Sequence, residues 1–160
     1  MKLGVIADSH DNLVMIRKAV RYFNHDAPVD VIVHAGDYVA PFAVKELAKL
    51  NAPIHGVFGN NDGEHAGINQ VLPQIIDPPL QLELGGRRIV VVHDLEKLPE
   101  DEKNAAKIVV CGHTHHRSVD RNVRLVVNPG ELGGWLTGEC TVAVIDLKTL
   151  DVEIHNFDHE

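Results

Sequence analysis

The segment KLGVIADSH, residues 2–10, is an apolar run that ends in aspartate, serine and histidine. The run predicts a β-strand that is buried on both faces. Residues 12–24 carry leucine, isoleucine, valine and phenylalanine at three- and four-residue steps, which predicts a helix. Residues 30–35, DVIVHA, form a second strand-like run. A strand, a helix and a second strand make up the unit from which parallel sheets are built.

The same alternation continues to residue 58. Pro41 suits the first turn of a second helix, which carries Val44, Leu47 and Ala48 on one face. Residues 53–58, PIHGVF, predict a third strand. The first part of the chain therefore favours a parallel sheet with crossover helices.

The second half of the chain is richer in strands. Residues 80–84 alternate leucine with polar residues, and Gly85-Gly86 joins them to 88–93 as a hairpin. Further strands are predicted at 107–111, 123–127, 141–147 and 152–156. Loops are expected at 61–79 and a loop or short helix at 94–104. Together these patterns predict an α/β fold in one domain, 1–160, with two sheets packed together and helices outside.

Composition narrows the classes of protein that the chain can belong to. Hydrophobic residues make up 44%, which argues against disorder. No apolar stretch approaches the roughly 20 residues that span a bilayer, and no secretory signal is seen, so no membrane association is expected. The two cysteines are far apart and suggest no disulfide framework, so a cytoplasmic location is predicted. A net charge of -8 argues against long nucleic acid as a partner.

Five short motifs carry the chemistry, and each follows an apolar run: Asp8-Ser9-His10, Gly36-Asp37, Gly59-Asn60-Asn61-Asp62, His93 and Gly112-His113-Thr114-His115. Loops at the carboxyl ends of strands form the ligand crevice in such sheets, so we expect the five motifs at one edge. In extended backbone, residues two apart point the same way, which would pair each D-x-H and H-x-H set. Carboxylate, carboxamide and imidazole donors without thiolate suit Mn²⁺, Fe²⁺, Co²⁺, Ni²⁺ or Zn²⁺.

Each motif also has a purely structural interpretation. Asp8-Ser9-His10 alone is more often a helix cap, and the segments at 36–37 and 59–62 are common turns. His93 alone could be a hydrogen-bonded core residue. The joint occurrence of the motifs, always at strand ends, favours a metal site. Among the other histidines, two are predicted to be structural, His34 and His55, and four to be solvated: His25, His65, His155 and His159.

The series D-x-H, GD, GN-x-D, a strand-terminal histidine and GHTH resembles the calcineurin-like metallophosphoesterases, in particular their small bacterial and archaeal phosphodiesterases. The resemblance covers nearly the whole chain, including Asn128-Pro129-Gly130-Glu131 and Leu136-Thr137-Gly138. It implies a four-layer α/β/β/α sandwich of two mixed β-sheets flanked by helices. It also implies a hydrolase that acts on a small phosphorylated substrate, most readily a phosphodiester.

The resemblance further implies two divalent transition-metal ions per chain and a hydroxide that bridges them for in-line attack. One ion would be held by Asp8, His10 and His115, the other by Asn60, His93 and His113, with Asp37 bridging both. Three of these residues, Asp37, Asn60 and His113, are also predicted to act in catalysis. Two cations, two aspartates and one hydroxide sum to a charge of about +1, which favours a diester monoanion. Asp11 and Asp94 are near ligands in sequence and are candidates to orient the imidazoles.

Position 61 departs from the pattern of the family. Many relatives have histidine there as the group that protonates the leaving oxygen, whereas an amide such as Asn61 cannot be a general acid near neutral pH. Another group or water would then supply the proton, or the enzyme would favour good leaving groups. Substrate binding is predicted for Asn61, Asp62 and His116.

Two further questions stay open at the level of the sequence. The alternative to an enzyme is a non-catalytic, protein-binding scaffold of the same fold, like the retromer subunit that resembles this family. A complete set of seven ligands favours the enzyme, and the amide at Asn61 keeps the scaffold possible. Whether the chain forms a homo-oligomer is not decided by any pattern.

Overall fold

Eleven β-strands in two sheets form the centre of the computed structural model, which describes residues 1–158. In chain order the strands are β1 (Lys2–Ile6), β2 (Val31–His34), β3 (Ile54–Val57), β4 (Ile75–Ile76), β5 (Leu80–Leu84), β6 (Arg87–Val91), β7 (Ile108–Val110), β8 (Ser118–Asp120), β9 (Leu125–Asn128), β10 (Cys140–Asp146) and β11 (Val152–Phe157). The larger sheet has the order β11-β10-β1-β2-β3-β4, and the smaller has β5-β6-β7-β9-β8.

Both sheets mix parallel and antiparallel pairs. Strands β1 to β4 run parallel, and β10 and β11 complete the larger sheet as antiparallel neighbours. In the smaller sheet β6, β7 and β9 are parallel, with β5 and β8 antiparallel at the edges. The carboxyl ends of β1, β2 and β3 therefore lie along one edge of the larger sheet, and those of β6 and β7 along one edge of the smaller.

The helices are α1 (Leu13–Arg21), α2 (Pro41–Leu47), α3 (His65–Val71) and α4 (Glu100–Ala105), with a π-helical turn at Tyr22–Asp26 and a 3₁₀ turn at Leu95–Lys97. Asn12 caps α1, because its side-chain oxygen accepts a hydrogen bond from the Met15 N–H at 3.2 Å. This cap places the start of α1 directly after the first predicted motif.

Apolar side chains fill three layers between the elements. Ile6 and Ile32 of the larger sheet pack against the helices α1 to α3. Val5 and Val33, on the opposite face of the same sheet, pack against the smaller sheet. A smaller cluster around Val109 covers the outer face of the second sheet. Two mixed sheets flanked by helices confirm the fold class that the sequence predicts.

The structure corrects several element predictions. The helix expected over 12–24 is α-helical only to Arg21 and then widens into the π-helical turn. The segment 61–79, expected as loops, contains α3 and β4, and β8 was not predicted. These elements are short, and α3 buries only Ile68, so they lack the apolar periodicity by which longer elements are identified. Segment 94–104 contains both a 3₁₀ turn and a short helix.

Across residues 1–158, none of the helices combines the length and apolar character needed to cross a membrane.

Candidate metal centre

The five predicted motifs meet at the carboxyl edges of the two sheets. Each follows a different strand: Asp8 and His10 follow β1, Asp37 follows β2, Asn60 follows β3, His93 follows β6, and His113 and His115 follow β7. Two of the contributing strands belong to the smaller sheet and three to the larger. The site is therefore assembled between the sheets, by loops that only the packing of the two sheets brings together.

One group of donors surrounds Asp8. The ligand atoms of Asp8, His10, Asp37 and His115 all lie within 4.8 Å of one another. His115 Nε2 is 3.6 Å from Asp8 Oδ1, and His10 Nε2 is 3.9 Å from the same oxygen. This is the set that the family resemblance assigns to the first ion, together with the bridging aspartate.

A second group surrounds Asn60. Asn60 Oδ1 lies 2.8 Å from His93 Nε2 and 3.1 Å from His113 Nδ1, and the two imidazole nitrogens are 3.3 Å apart. Asp37 lies between the groups, because its Oδ2 is 3.3 Å from His10 Nε2 and 3.4 Å from His93 Nε2. The structure thus brings all seven predicted ligands together.

Several acceptor atoms of the site face one another, and a positive charge between them would stabilise this arrangement. His93 Nδ1 lies 2.8 Å from the Ala35 carbonyl oxygen, which can only accept, so in a neutral ring Nε2 carries the lone pair. That lone pair faces Asn60 Oδ1, also an acceptor. In the first group His10 Nε2 is buried and, among the described residues, forms no well-aligned hydrogen bond, although Asp37 Oδ2 is 3.3 Å away. Divalent cations would satisfy both features, so the residues fit the metals that the donor set suggests.

The charges of the carboxylates and imidazoles reflect the same crowding. Burial raises the pKa of Asp8 to about 6, although His93 and His115 act against this rise. Burial also opposes ionisation of Asp37, but contacts with His10, His93 and Asn61 hold the pKa of Asp37 well below its usual range. Contact with the Asp37 carboxylate raises the pKa of His10. Without a cation, the imidazole of His10 therefore takes up a proton more readily than a free histidine does.

Five of the seven predicted ligands stand on left-handed backbone. The φ angles are positive at Asp8 (49°), His10 (40°), Asp37 (62°), His113 (70°) and His115 (63°). The expectation that extended backbone pairs each D-x-H and H-x-H set was therefore wrong. Asp8 and His10 converge through a tight turn, and His113 and His115 serve different groups. Such conformations are uncommon for residues other than glycine and are typical of functional sites.

Two glycines make room for this packing. A Cβ at Gly59 would collide with Asp37 Oδ1, and a Cβ at Gly36 would lie 2.8 Å from His93 Nδ1. Gly36 also has a φ of 101°, which L side chains rarely adopt. The second and third motifs therefore need glycine because their backbones approach the ligands closely.

Asp62 is buried and joins two of the ligand loops. Its Oδ2 accepts the N–H groups of Asp37 (2.9 Å) and Gly59 (2.7 Å), and its Oδ1 accepts that of Val39 (2.7 Å). These bonds lower the pKa of Asp62, but burial outweighs them and the net shift is upward. The carboxylate is therefore already occupied by backbone amides, and its predicted contact with substrate stays a prediction.

The other two residues predicted to bind substrate have different environments. The Asn61 N–H donates to Asp37 Oδ1 at 2.9 Å, and its side-chain Nδ2 donates to Asp37 Oδ2 at 2.8 Å. Asn61 thus contacts the aspartate between the two groups. His116 is exposed, and its N–H points to Thr114 Oγ1 at 3.4 Å. Substrate binding by Asn61 and His116 also stays a prediction.

Two supporting residues were not identified from the sequence. Glu131 is buried, and its Oε2 lies 2.9 Å from His115 Nδ1. Asn128 donates from Nδ2 to the Gly112 carbonyl at 2.9 Å and to Thr114 Oγ1 at 3.0 Å, which supports the fifth motif. Their only sequence signal was the NPGE motif, which gives no information on what the side chains contact.

The two acidic candidates for orienting imidazoles differ in position. Asp94 Oδ2 lies 3.8 Å from His113 Nε2, on the side of the ring away from the donor cluster. Asp11 instead accepts the Ala40 N–H at 2.9 Å and links the loop after β1 to the start of α2. Only Asp94 is therefore placed next to a predicted ligand.

The remaining histidines differ in their burial. His34 is fully buried, accepts the Gly36 N–H on Nδ1 at 3.1 Å and contacts Ser9 Oγ through Nε2 at 3.0 Å, which confirms its prediction. The expectation of solvated rings is confirmed for His25 and His65, which are exposed, although His65 also stacks on Phe58. It is wrong for His155, which is half-buried and stacks on Tyr22. His159 lies outside the described residues.

A cavity of about 220 Å³ adjoins the second group. Asn60 and His93 form one side of it, and its other walls include Phe58, Pro78 and Val92. The cavity offers space for a small organic group next to the predicted ligands.

Comparisons with known proteins agree with this geometry. A family model described as a calcineurin-like phosphoesterase superfamily domain matches residues 1–150. Phosphodiesterase MJ0936 of Methanocaldococcus jannaschii is 36% identical over 157 residues, covering 92% of this chain and 94% of that protein. A probable metallophosphoesterase of Methanothermobacter thermautotrophicus is 30% identical, and the match covers 96% of this chain and 91% of that protein.

Solved structures give the same result for the fold. A structure described as a novel archaeal phosphodiesterase has a TM-score of 0.86 at 32% identity. The alignment covers 98% of this chain and 100% of that protein. Vps29 of Chaetomium thermophilum, at 14% identity and a TM-score of 0.72 over 98% of this chain and 97% of its own, shows likeness of fold alone. The family match, the close relatives and the gathered donors together confirm the resemblance seen in the sequence. The chain therefore belongs to the calcineurin-like phosphoesterase superfamily and is a metal-dependent phosphoesterase.

Proposed function

We propose that the chain is a phosphodiesterase that uses two divalent transition-metal ions to hydrolyse a small phosphodiester. The observation that carries this proposal is the position of Asp37 Oδ2, within 3.4 Å of a ligand nitrogen in each donor group. One carboxylate oxygen that faces two sets of donors is the arrangement expected of a bridging ligand. The choice of a diester is supported by two similar archaeal proteins that are described as phosphodiesterases.

In this proposal the first ion is held by Asp8, His10 and His115, the second by Asn60, His93 and His113, and both by Asp37. Bound divalent ions would lower the pKa of water toward neutrality and offset the charge of the phosphoryl oxygens. The donor set suits Mn²⁺, Ni²⁺, Fe²⁺, Co²⁺ or Zn²⁺.

The charge of the ligands favours an anionic substrate. Only Asp8 and Asp37 among the seven ligands carry formal negative charge, and the others are neutral imidazoles and one amide. Two divalent ions would therefore leave the site positive although the whole chain has a net charge of -8. A phosphodiester monoanion matches this local charge, and the cavity beside Asn60 and His93 is large enough for one small ester group.

Asn61 sets a limit on the chemistry. Its amide donates to Asp37 Oδ2 and cannot release a proton near neutral pH. We therefore expect faster hydrolysis of aryl and other activated esters than of alkyl esters. His116 and Asn61 are proposed to contact the substrate, and Asp62 is proposed to act by holding the loops of Asp37 and Gly59.

The test starts from protein stripped of metal with a chelator and reloaded separately with Mn²⁺, Ni²⁺, Zn²⁺ or Mg²⁺. Turnover is measured on an aryl phosphodiester and on the corresponding aryl monoester, and bound metal is counted by mass spectrometry. The proposal expects two ions per chain and metal-dependent hydrolysis that favours the diester. A single ion at saturation would contradict the dinuclear site, and a preference for the monoester would contradict the substrate class.

The alternative raised by the amide at Asn61, which the family match and the phosphodiesterase relative argue against, is a non-catalytic scaffold of the same fold. It predicts that the chain binds metal but turns over neither ester with any of the four ions. The same assay therefore separates the two functions. The cytoplasmic location stays a prediction, and the oligomeric state stays open.

A further inference from the structure

Glu131 is a fully buried carboxylate directly behind the first donor group. Its Oε2 lies 2.9 Å from His115 Nδ1 and accepts the Trp135 N–H at 3.0 Å. Its Oε1 accepts the N–H groups of Leu136 (3.0 Å) and Thr137 (2.6 Å) and the Thr137 hydroxyl (2.8 Å). Five donors thus converge on one side chain, and one of them is the ring of a proposed ligand.

These contacts fix the tautomer of His115. The three backbone N–H groups can only donate, so the side chain that receives them acts as an acceptor on both oxygens. His115 Nδ1 must then donate to Oε2. A neutral ring with its proton on Nδ1 leaves a lone pair on Nε2, which is the atom 3.6 Å from Asp8 Oδ1.

The segment that carries Glu131 also holds the other residues of the first group. The Gly133 N–H donates to the Asp8 carbonyl at 2.9 Å, and Trp135 Nε1 donates to the His10 carbonyl at 3.0 Å. Residues 131–137 therefore touch the backbone of Asp8 and His10 and the ring of His115. The second group uses a different device, since the ring of His93 is held by the Ala35 carbonyl.

We propose that Glu131 is a positioning residue for one metal ion, because its carboxylate holds His115 in the tautomer that presents Nε2 to the cation. This inference rests on the proposed function for the assignment of His115 as a ligand. It adds that the affinities of the two ions depend on different residues. Loss of the carboxylate should weaken the binding of the ion in the first group and leave the binding of the ion in the second group unchanged.

The variant Glu131→Gln tests the proposal with little change in size. In one orientation its NH₂ faces the N–H groups of Leu136 and Thr137, and in the other it faces the Trp135 N–H and His115 Nδ1. The second orientation opposes the amide NH₂ to one backbone N–H instead of two, provided that His115 Nδ1 gives up its proton and accepts. The ring proton then lies on Nε2, so the lone pair that would bind the metal ion is lost. Loss of such a partner typically costs 10- to 100-fold in metal affinity.

Calorimetric titration of the metal-free chain with Mn²⁺ should show one ion weakened roughly 10- to 100-fold in Glu131→Gln and the other unchanged. Thr137→Val is the matched control, because it removes one hydroxyl bond to Oε1 and leaves the contact with His115. It should keep both affinities within about threefold of the original chain, well under the change expected on losing an orienting partner. Equal Mn²⁺ binding by Glu131→Gln and the original chain would overturn the proposal.

Long-range ¹H–¹⁵N spectra of the metal-free chain provide a second readout that needs neither activity nor the variant. The His115 signals, assigned by comparison with His115→Ala, should show the proton on Nδ1, and in Glu131→Gln they should show it on Nε2. A proton on Nε2 in the original chain would overturn the proposal even if Glu131→Gln fails to fold. Failure of the proposed function would appear separately, as absent turnover with the His115 tautomer unchanged.

Discussion

The buried imidazole of His34 should make the stability of the fold depend on pH. His34 is fully buried, and burial lowers its pKa to about 3. Its Nδ1 accepts the Gly36 N–H, so the neutral ring donates from Nε2 to Ser9 Oγ, and a further proton could bind only by displacing the Gly36 N–H from the Nδ1 lone pair. In the unfolded chain the ring titrates near its ordinary value of about 6.5.

The sign and size of the effect follow from this difference. Above about pH 6.5 the ring is neutral in both states and contributes no pH dependence. Below it the unfolded chain binds a proton that the folded chain refuses until about pH 3, so stability falls as the pH falls. With these two values, His34 alone lowers the free energy of unfolding by about 2 kcal/mol between pH 7.5 and 5.

The assay is urea unfolding of the metal-free chain at both pH values, in parallel with His34→Asn. The amide oxygen of the introduced side chain can still accept the Gly36 N–H, but the amide does not titrate. Other groups that face His34, which include His93, Asp37 and His10, titrate in both proteins, so their contributions largely cancel in the difference. The original chain should therefore lose about 2 kcal/mol more than the variant.

The outcome that refutes this reasoning is an equal loss in the two proteins, within about 0.5 kcal/mol, a quarter of the predicted difference. The buried ring would then be charged in the folded state or titrate normally. A larger loss in His34→Asn would be equally contradictory, because it would place the proton-binding group elsewhere.

Three further predictions concern the site itself. Asp37→Ala should lose both metal ions and all turnover, measured by metal analysis and ester hydrolysis, whereas Asp30→Ala, on the exposed surface, should keep both. Asn61→His should leave hydrolysis of aryl diesters nearly unchanged and speed that of alkyl diesters by roughly 100-fold, since it restores a general acid; equal acceleration of both would argue against this role. Asp62→Asn should lower the free energy of unfolding by about 2–4 kcal/mol, because one of three buried charge-assisted bonds is lost and two are weakened; urea unfolding of the metal-free protein measures this, and a change below about 1 kcal/mol, the net value of one ordinary hydrogen bond, would contradict it.

Most of the fold was predictable because its long elements repeat at the period of a strand or a helix. The hairpin around Gly85-Gly86 and the parallel strands β1 to β3 are both present as expected. The short elements α3, β4 and β8 were missed because too few of their residues are buried to leave a periodic pattern. Their presence depends on packing against longer elements.

The sequence by itself determined the chemistry of the site, because donor type is a property of each residue and each motif directly follows a strand. Only the tertiary structure decided how the donors meet. The left-handed turns at Asp8 and His113 replace the extended backbone that spacing suggested. The contact between His115 and Glu131 joins residues 16 apart, and no local pattern specifies it. Whether two distant side chains touch depends on which strands pair, as β7 and β9 do here, and on how the sheets pack, and both are properties of the whole chain.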